Sequence, residues 1–260
     1  MSTEAAVLRQ RDDRGVVTLT MNRPANFNAL SEEMLAALQQ ALDAVALDEG
    51  ARVVVLAAAG KAFCPGHNLK EMVATPQLDY YQALFAQCSR VMLAIQQLPV
   101  PVMARVHGIA TAAGCQLVAQ CDLAVASTEA RFAVSGVNLG LFCSTPSVPL
   151  VRNMGPKHAM EMLVTGDFIS AQEAADRGLV NRAVAPEQLD AEVEKLVASI
   201  LQKPRMAIAM GKELFYKQRE MGIAAAYQLA GQTMAVNMMD GCAQEGVTAF
   251  TEKRAPSWKR

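Results

Sequence analysis

Within Ala51 to Ala59 the run Val-Val-Val-Leu is apolar at every position. Such a run suits a β-strand covered on both faces, so the chain must supply layers on either side of it. Val100-Pro-Val-Met-Ala-Arg-Val106 reads as a second buried strand and Cys121 to Ala126 as a third. The intervening text has helical period. Ser31 caps a helix that sets Met34, Leu35, Leu38, Leu42 and Val45 on one face, Gln77 to Gln97 repeats the pattern, and Thr111 to Ala119 forms a short helix of small residues. Strand, helix and strand in succession predict an α/β core with parallel pairing, where ligand sites gather at strand ends. Upstream, Leu8 to Arg11 and Val16 to Met21 flank the turn-like Asp12-Asp13-Arg14-Gly15 and predict a hairpin. Beyond Pro146 the pattern is helical, interrupted by one short strand at Leu179 to Val184. The chain therefore divides into a spiral α/β core over residues 1–195 and a helical region over 196–260.

Composition limits what such a fold can bind. With 52% hydrophobic and 19% charged residues the chain can bury a large core, and its net charge of −1 is spread evenly. A nucleic-acid stripe or a polybasic membrane patch is not expected, so an anionic ligand would need a local cluster of positive groups. No stretch approaches the roughly 20 apolar residues of a bilayer span. Glu4, Asp12 and Asp13 argue against a signal or transit peptide at Met1 to Gly15. Cys64, Cys88, Cys115, Cys121, Cys143 and Cys242 lack CxxC spacing and suit reduced thiols, which sets the expectation of a cytoplasmic protein. His107 and His158 have no clustered ligands, so no metal is expected.

Two turns follow buried strands. Lys61-Ala-Phe-Cys-Pro-Gly-His-Asn-Leu-Lys70 contains Pro-Gly, and its glycine lets backbone approach a ligand. His107-Gly-Ile-Ala-Thr-Ala-Ala-Gly-Cys-Gln116 brings a helix N-terminus, with its unpaired amides, close to neighbouring backbone. Each alone equally suits an ordinary connecting or close-packing turn.

Together with Met21-Asn-Arg-Pro-Ala-Asn-Phe-Asn-Ala-Leu30 and Glu245-Gly-Val-Thr-Ala-Phe-Thr-Glu-Lys-Arg254, these segments resemble the enoyl-CoA hydratase/isomerase, or crotonase, superfamily over nearly the whole chain. Thr111 to Leu117 and Gly136 to Pro146 look closest to its enoyl-CoA hydratase domain-containing protein 3 branch. The resemblance implies a spiral core of repeated ββα units with a helical C-terminal trimerisation region, and trimers often stacked as hexamers. It implies an acyl-CoA thioester as ligand, with coenzyme A as part of the substrate and no separate cofactor. It places an oxyanion hole at the backbone amides of His67 and Ala113, beside Gly66 and Gly114. The coenzyme would lie along Pro24, Ala25 and Phe27, and Phe250 and Lys253 would reach it from a neighbouring subunit. Phe250 equally suits a packing face of a terminal helix, and Lys253 a solvated helix end.

The departures concern acid–base chemistry. Where hydratases resembling this chain carry two glutamates, it holds Gln116 and Gly136. Glutamine exchanges no proton near neutral pH and glycine has no side chain, so the usual hydration route lacks both its base and its acid. The His67 ring is the titratable alternative near the thioester, unless only its amide is used. Cys64 and Cys143 read as packing residues rather than nucleophiles, and no Gly-x-Ser-x-Gly elbow surrounds Ser144. The expectation is an acyl-CoA-binding enzyme of lyase or isomerase type without classical hydratase activity, or a non-catalytic acyl-CoA-binding protein.

Overall fold

The computed structural model describes residues 4–259. The chain opens with the hairpin β1 (Val7–Arg11) and β2 (Val16–Met21), followed by the capped helix α1 (Glu32–Ala46) and the strand β3 (Val53–Ala58). Ser31 Oγ accepts the Met34 N–H, and the five apolar residues expected on one face of α1 are all buried. Next come α2 (Leu69–Ala74), α3 (Leu78–Gln97), β4 (Val102–Val106), β5 (Ala110–Thr111), α4 (Ala113–Gln120), β6 (Leu123–Ser127) and β7 (Arg131–Ala133). The remainder holds α5 (Ser144–Asn153), α6 (Pro156–Thr165), β8 (Ile169–Ser170), α7 (Ala171–Asp176) and β9 (Arg182–Val184), then α8 (Leu189–Leu201), α9 (Arg205–Gln218), α10 (Ile223–Met238) and α11 (Gly241–Thr251).

Six strands form one sheet in the order β1-β2-β3-β4-β6-β9, parallel throughout except for the β1–β2 hairpin. A small second sheet has the order β5-β7-β8. The central strand β3 is buried at all six positions, as its composition requires. One face of the sheet meets α1, α3 and α4 through Leu19, Leu56, Met34, Leu38 and Ile95. The other face meets α8 through Val53, Val55, Met103, Val193 and Val197. The boundary expected after residue 195 therefore falls inside a helix that covers the sheet.

The C-terminal region is tied to the core by a buried polar cluster. Lys212 of α9 donates to Asp122 Oδ2 at 2.6 Å and to the carbonyls of Ile95 and Val100, while Tyr216 donates to Asp122 Oδ1 at 2.8 Å. Asp122 also accepts the Val102 N–H at 2.7 Å, so it joins an ion pair and a backbone hydrogen bond at the start of β6. Beyond this anchor, α10 buries Ala226 but leaves Ile223, Tyr227 and Met234 exposed. Among the described residues, no helix is long and apolar enough to cross a membrane.

Candidate active site

Four backbone segments lie side by side at the strand ends. The Leu30 N–H donates to Gly66 O at 2.8 Å, and the Asn68 N–H returns to Leu30 O at 3.4 Å. Cys64 bridges Ala110, with the Thr111 N–H on Cys64 O at 3.0 Å. Ala110 and Thr111 pair with Phe132 and Ala133, and the Ala112 N–H donates to Ala133 O at 2.9 Å. The order across this ladder is thus 28–30, 64–68, 110–113 and 131–133.

Asn28 fixes the first segment. Fully buried, it donates from Nδ2 to Ala59 O and Ala62 O at 2.8 and 3.0 Å and accepts the Arg23 N–H at 2.9 Å. This residue belongs to a motif read from the sequence, yet its structural role was not anticipated. Only side-chain hydrogen-bond accounting reveals it.

Both turns are as tight as their small residues allow. At φ +103° Gly66 occupies a conformation that favours glycine, and a β-carbon there would lie 3.2 Å from the Ala113 nitrogen and 2.9 Å from Ala112 Cβ. At Gly114 an added β-carbon would sit 2.0 Å from Cys64 O, so α4 approaches the first turn with no room for a side chain. Ala112 takes φ 48° and ψ −120°, strain of about 1–3 kcal/mol in a non-glycine residue. That strain starts α4 at Ala113, two residues later than the helix expected from Thr111. The Ala113 N–H, first in its helix, has no intrahelical acceptor. Because Leu30 pairs with the peptide groups flanking His67, the His67 N–H faces the opposite side, toward 111–113. Among the described residues neither N–H has a hydrogen-bond partner.

Both turns border a cavity of about 870 Å³. Ala25, Phe27, His67 and Ala113 line it, as does Gly136. Pro24, Gly66, Gly114 and Gln116 do not: Pro24 packs under Gly60, the two glycines shape the turns from behind, and Gln116 is buried at 3% exposure. Phe250 and Lys253 lie on and after α11, exposed and outside the cavity lining. The sequence reading missed most of the wall, namely Leu139, Leu141, Phe142, Phe85 and Met72, and the cation Lys70.

Proton-transfer groups are scarce. Lys70 is the single ionised side chain among the lining residues, and no carboxylate is among them. The His67 ring packs edge-on to Phe85 at 5.4 Å, and its Nδ1 lies 3.3 Å from Leu30 O. A carbonyl only accepts, so Nδ1 carries the hydrogen and Nε2 the lone pair. That Nε2 is buried without a partner. Burial lowers the imidazole's pKa, against a smaller upward pull from the Leu30 carbonyl, so the ring is neutral at pH 7. Gln116 Oε1 is likewise buried and unpartnered. Burial drives the Cys64 and Cys115 thiols up to about 12 and raises Cys143 despite the Gly136 N–H on its sulfur, which disfavours the thiolate form at all three. At Gly136 an added β-carbon would stand 2.4 Å from Leu141 O and 2.8 Å from Cys143 Sγ. A side chain at position 136 would therefore meet atoms already in place.

The mixed α/β architecture with two facing turns at the sheet edge is shared with solved crotonase-fold proteins. The enoyl-CoA hydratase/isomerase family model matches residues 11–260, and the chain belongs to that family. A crystal structure of an enoyl-CoA hydratase from Mycobacterium smegmatis is 65% identical, covering 99% of this chain and 100% of that one, with a TM-score of 0.97. The human enoyl coenzyme A hydratase domain-containing protein 3 structure is 43% identical over 97% and 100% of the two chains, with a TM-score of 0.94. A Xenopus laevis relative, named enoyl-CoA hydratase domain-containing protein 3, mitochondrial, is 44% identical over 98% of this chain and 86% of its own length. The chain is thus similar to that branch of the family. The cytoplasmic location expected from the cysteines is overturned here, because relatives of that name are designated mitochondrial. Buried free thiols report a reducing environment and do not separate one such compartment from another.

Proposed function

We propose that the chain binds an acyl-CoA thioester in this cavity and stabilises the enolate form of its carbonyl by the main-chain N–H groups of His67 and Ala113. The reading is supported above all by these two unpartnered donors, one on each of two turns in contact, beside a cavity of ligand size. A pair of fixed donors strengthens as charge develops on the oxygen, and one such donor is worth roughly 2.7–4 kcal/mol in comparable sites. The coenzyme would run along Ala25 and Phe27, with Lys70 near its phosphates. No cofactor beyond the substrate's own coenzyme A is required.

Hydration by two glutamates is not part of this proposal. Isomerisation, which adds no water, must still carry a proton from one carbon of the acyl chain to another, and in this reading the unpartnered lone pair of His67 Nε2 would be its carrier. A second reading, a non-catalytic acyl-CoA-binding protein, is favoured by the filled space at Gly136 and the covered His67 Nε2. The exposed apolar side chains of α10 support the further proposal that 196–260 assembles the chain as a trimer or a dimer of trimers, which would bring Phe250 and Lys253 of one copy toward another's site.

Calorimetry with butyryl-CoA and crotonyl-CoA, followed by a turnover assay over an acyl-CoA panel, tests the proposal. Binding with isomerase-type turnover and no crotonyl-CoA hydration is expected. Binding without any turnover selects the second reading, and absence of binding to every CoA thioester refutes both.

A further inference from the structure

The His67 N–H is one end of a peptide unit whose other end is already held. Its partner in that unit, the Gly66 carbonyl, accepts the Leu30 N–H at 2.8 Å. A trans peptide is planar, so an oxygen fixed toward Leu30 turns the His67 N–H the opposite way, toward 111–113. The unit is hinged on Gly66 at φ +103°, and glycine resists rotation of its peptide less than any other residue. The aim of this donor therefore depends on whatever keeps residues 30–32 against 66–71.

Two side chains of the second segment do so. The His67 ring turns back on the Leu30 carbonyl, with Nδ1 at 3.3 Å from an oxygen that also takes the Asn68 N–H at 3.4 Å. The edge of Phe85 packs on the same ring, 5.4 Å between centroids. Two residues further on, Glu71 Oε2 accepts the Glu32 N–H at 3.2 Å, one of the donors left open at the start of α1. Its Oε1 accepts Asn68 Nδ2 at 2.9 Å, so this carboxylate joins the residue after His67 to the first turn of α1. Leu30 is thus gripped through its N–H by the peptide that needs aiming and through its C=O by the side chain of the same residue.

We infer that the His67 imidazole is a positioning residue for its own main chain. Its Nδ1 hydrogen holds Leu30, Leu30 holds Gly66 O, and the peptide between Gly66 and His67 stays turned with its N–H toward the thioester oxygen. Glu71 supports the same grip from α1. The role uses Nδ1 and leaves the lone pair on Nε2 free. The inference rests on the acyl-CoA reading above and adds the side chains that aim one of its two donors.

Isotope-edited infrared spectroscopy of butyryl-CoA with a ¹³C-labelled thioester carbonyl, bound to the full-length chain and its variants, tests it. His67→Ala removes the clamp, whereas His67→Asn restores an N–H donor two bonds from Cβ, where Nδ1 stood. Melting midpoints check that both fold. His67→Ala is expected to lose about half of the wild-type displacement of the carbonyl stretch, because one of two donors drifts off the oxygen, and His67→Asn to keep most of it. A full displacement in folded His67→Ala, or an equal loss in both variants, overturns the inference and leaves acyl-CoA binding intact. No displacement in the wild-type chain refutes the underlying reading instead. Amide hydrogen exchange at Leu30 in the ligand-free chain then decides the clamp by itself: faster exchange in His67→Ala than in His67→Asn supports it, and equal rates in the two overturn it.

Discussion

The two sides of the proposed thioester position are both tightly built, but around different things. At 64–68 and 110–114 every small residue clears a path for main chain: Gly66 admits the Ala113 nitrogen, and Gly114 admits the Cys64 carbonyl. At 135–143 the tightness works the other way. Leu141 O and Cys143 Sγ close on Gly136 and fill the volume a side chain there would need. The backbone proposed to hold the thioester has almost no room for added atoms, and the room for a side chain at position 136 is already taken. Donors made of main chain depend on the fold alone, whereas a carboxylate is lost by a single substitution.

The largest expected effect probes the first side. Gly114→Ala places a β-carbon 2.0 Å from the Cys64 carbonyl oxygen, a severe overlap, so urea denaturation should show a loss of about 3 kcal/mol or more, with acyl-CoA binding abolished. A variant destabilised by under about 1 kcal/mol would show that the turns can separate freely. Gly136→Glu probes the other side. It should cost about 1–3 kcal/mol by overpacking and yield no crotonyl-CoA hydration, even with Gln116→Glu beside it. Hydration gained by that pair would mean the loop opens, and the contrast between the two sides would fail.

Gln116→Met comes next. It removes a buried acceptor that has no donor, so stability should rise by about 1 kcal/mol in the same denaturation assay. A fall of similar size would reveal a partner for that oxygen. The smallest effect is in pH. Burial lowers the folded pKa of His67 and of His107 below the ordinary 6.5. Between those lower values and 6.5 the unfolded chain binds more protons than the folded one, so stability is full above about pH 6.5 and falls as pH drops through that window. Imidazole NMR titration alongside melting curves checks this; a His67 ring titrating above 6.5 would contradict it.

Much of the scaffold could be read from residue pattern, because long periodic elements announce themselves. The hairpin, the buried face of α1 and the apolar strands β3, β4 and β6 all fall where their spacing puts them. Elements of two or three residues, β5, β7 and β8, leave no periodic trace, yet they order the backbone ladder. Helix α5 contains Pro149 within it, which a reading by helix breakers suppresses. At the site, glycine and the small residues marked the turns. The direction of side chains was not encoded in the same way: Gln116 is buried and is not among the residues that line the cavity. The exposure of Leu139, Leu141 and Phe142 is a property of the folded loop and left no mark in the residue pattern.

Isotope-edited infrared spectroscopy of an acyl-CoA carrying a ¹³C-labelled thioester carbonyl measures directly whether two main-chain donors grip one oxygen. Bound to this chain, the carbonyl stretch should move below its frequency in water, because fixed donors out of solvent polarise the bond more than mobile water does. A stretch unchanged from water, or raised toward that of an apolar solvent, would show the oxygen lying away from His67 and Ala113 and contradict the account.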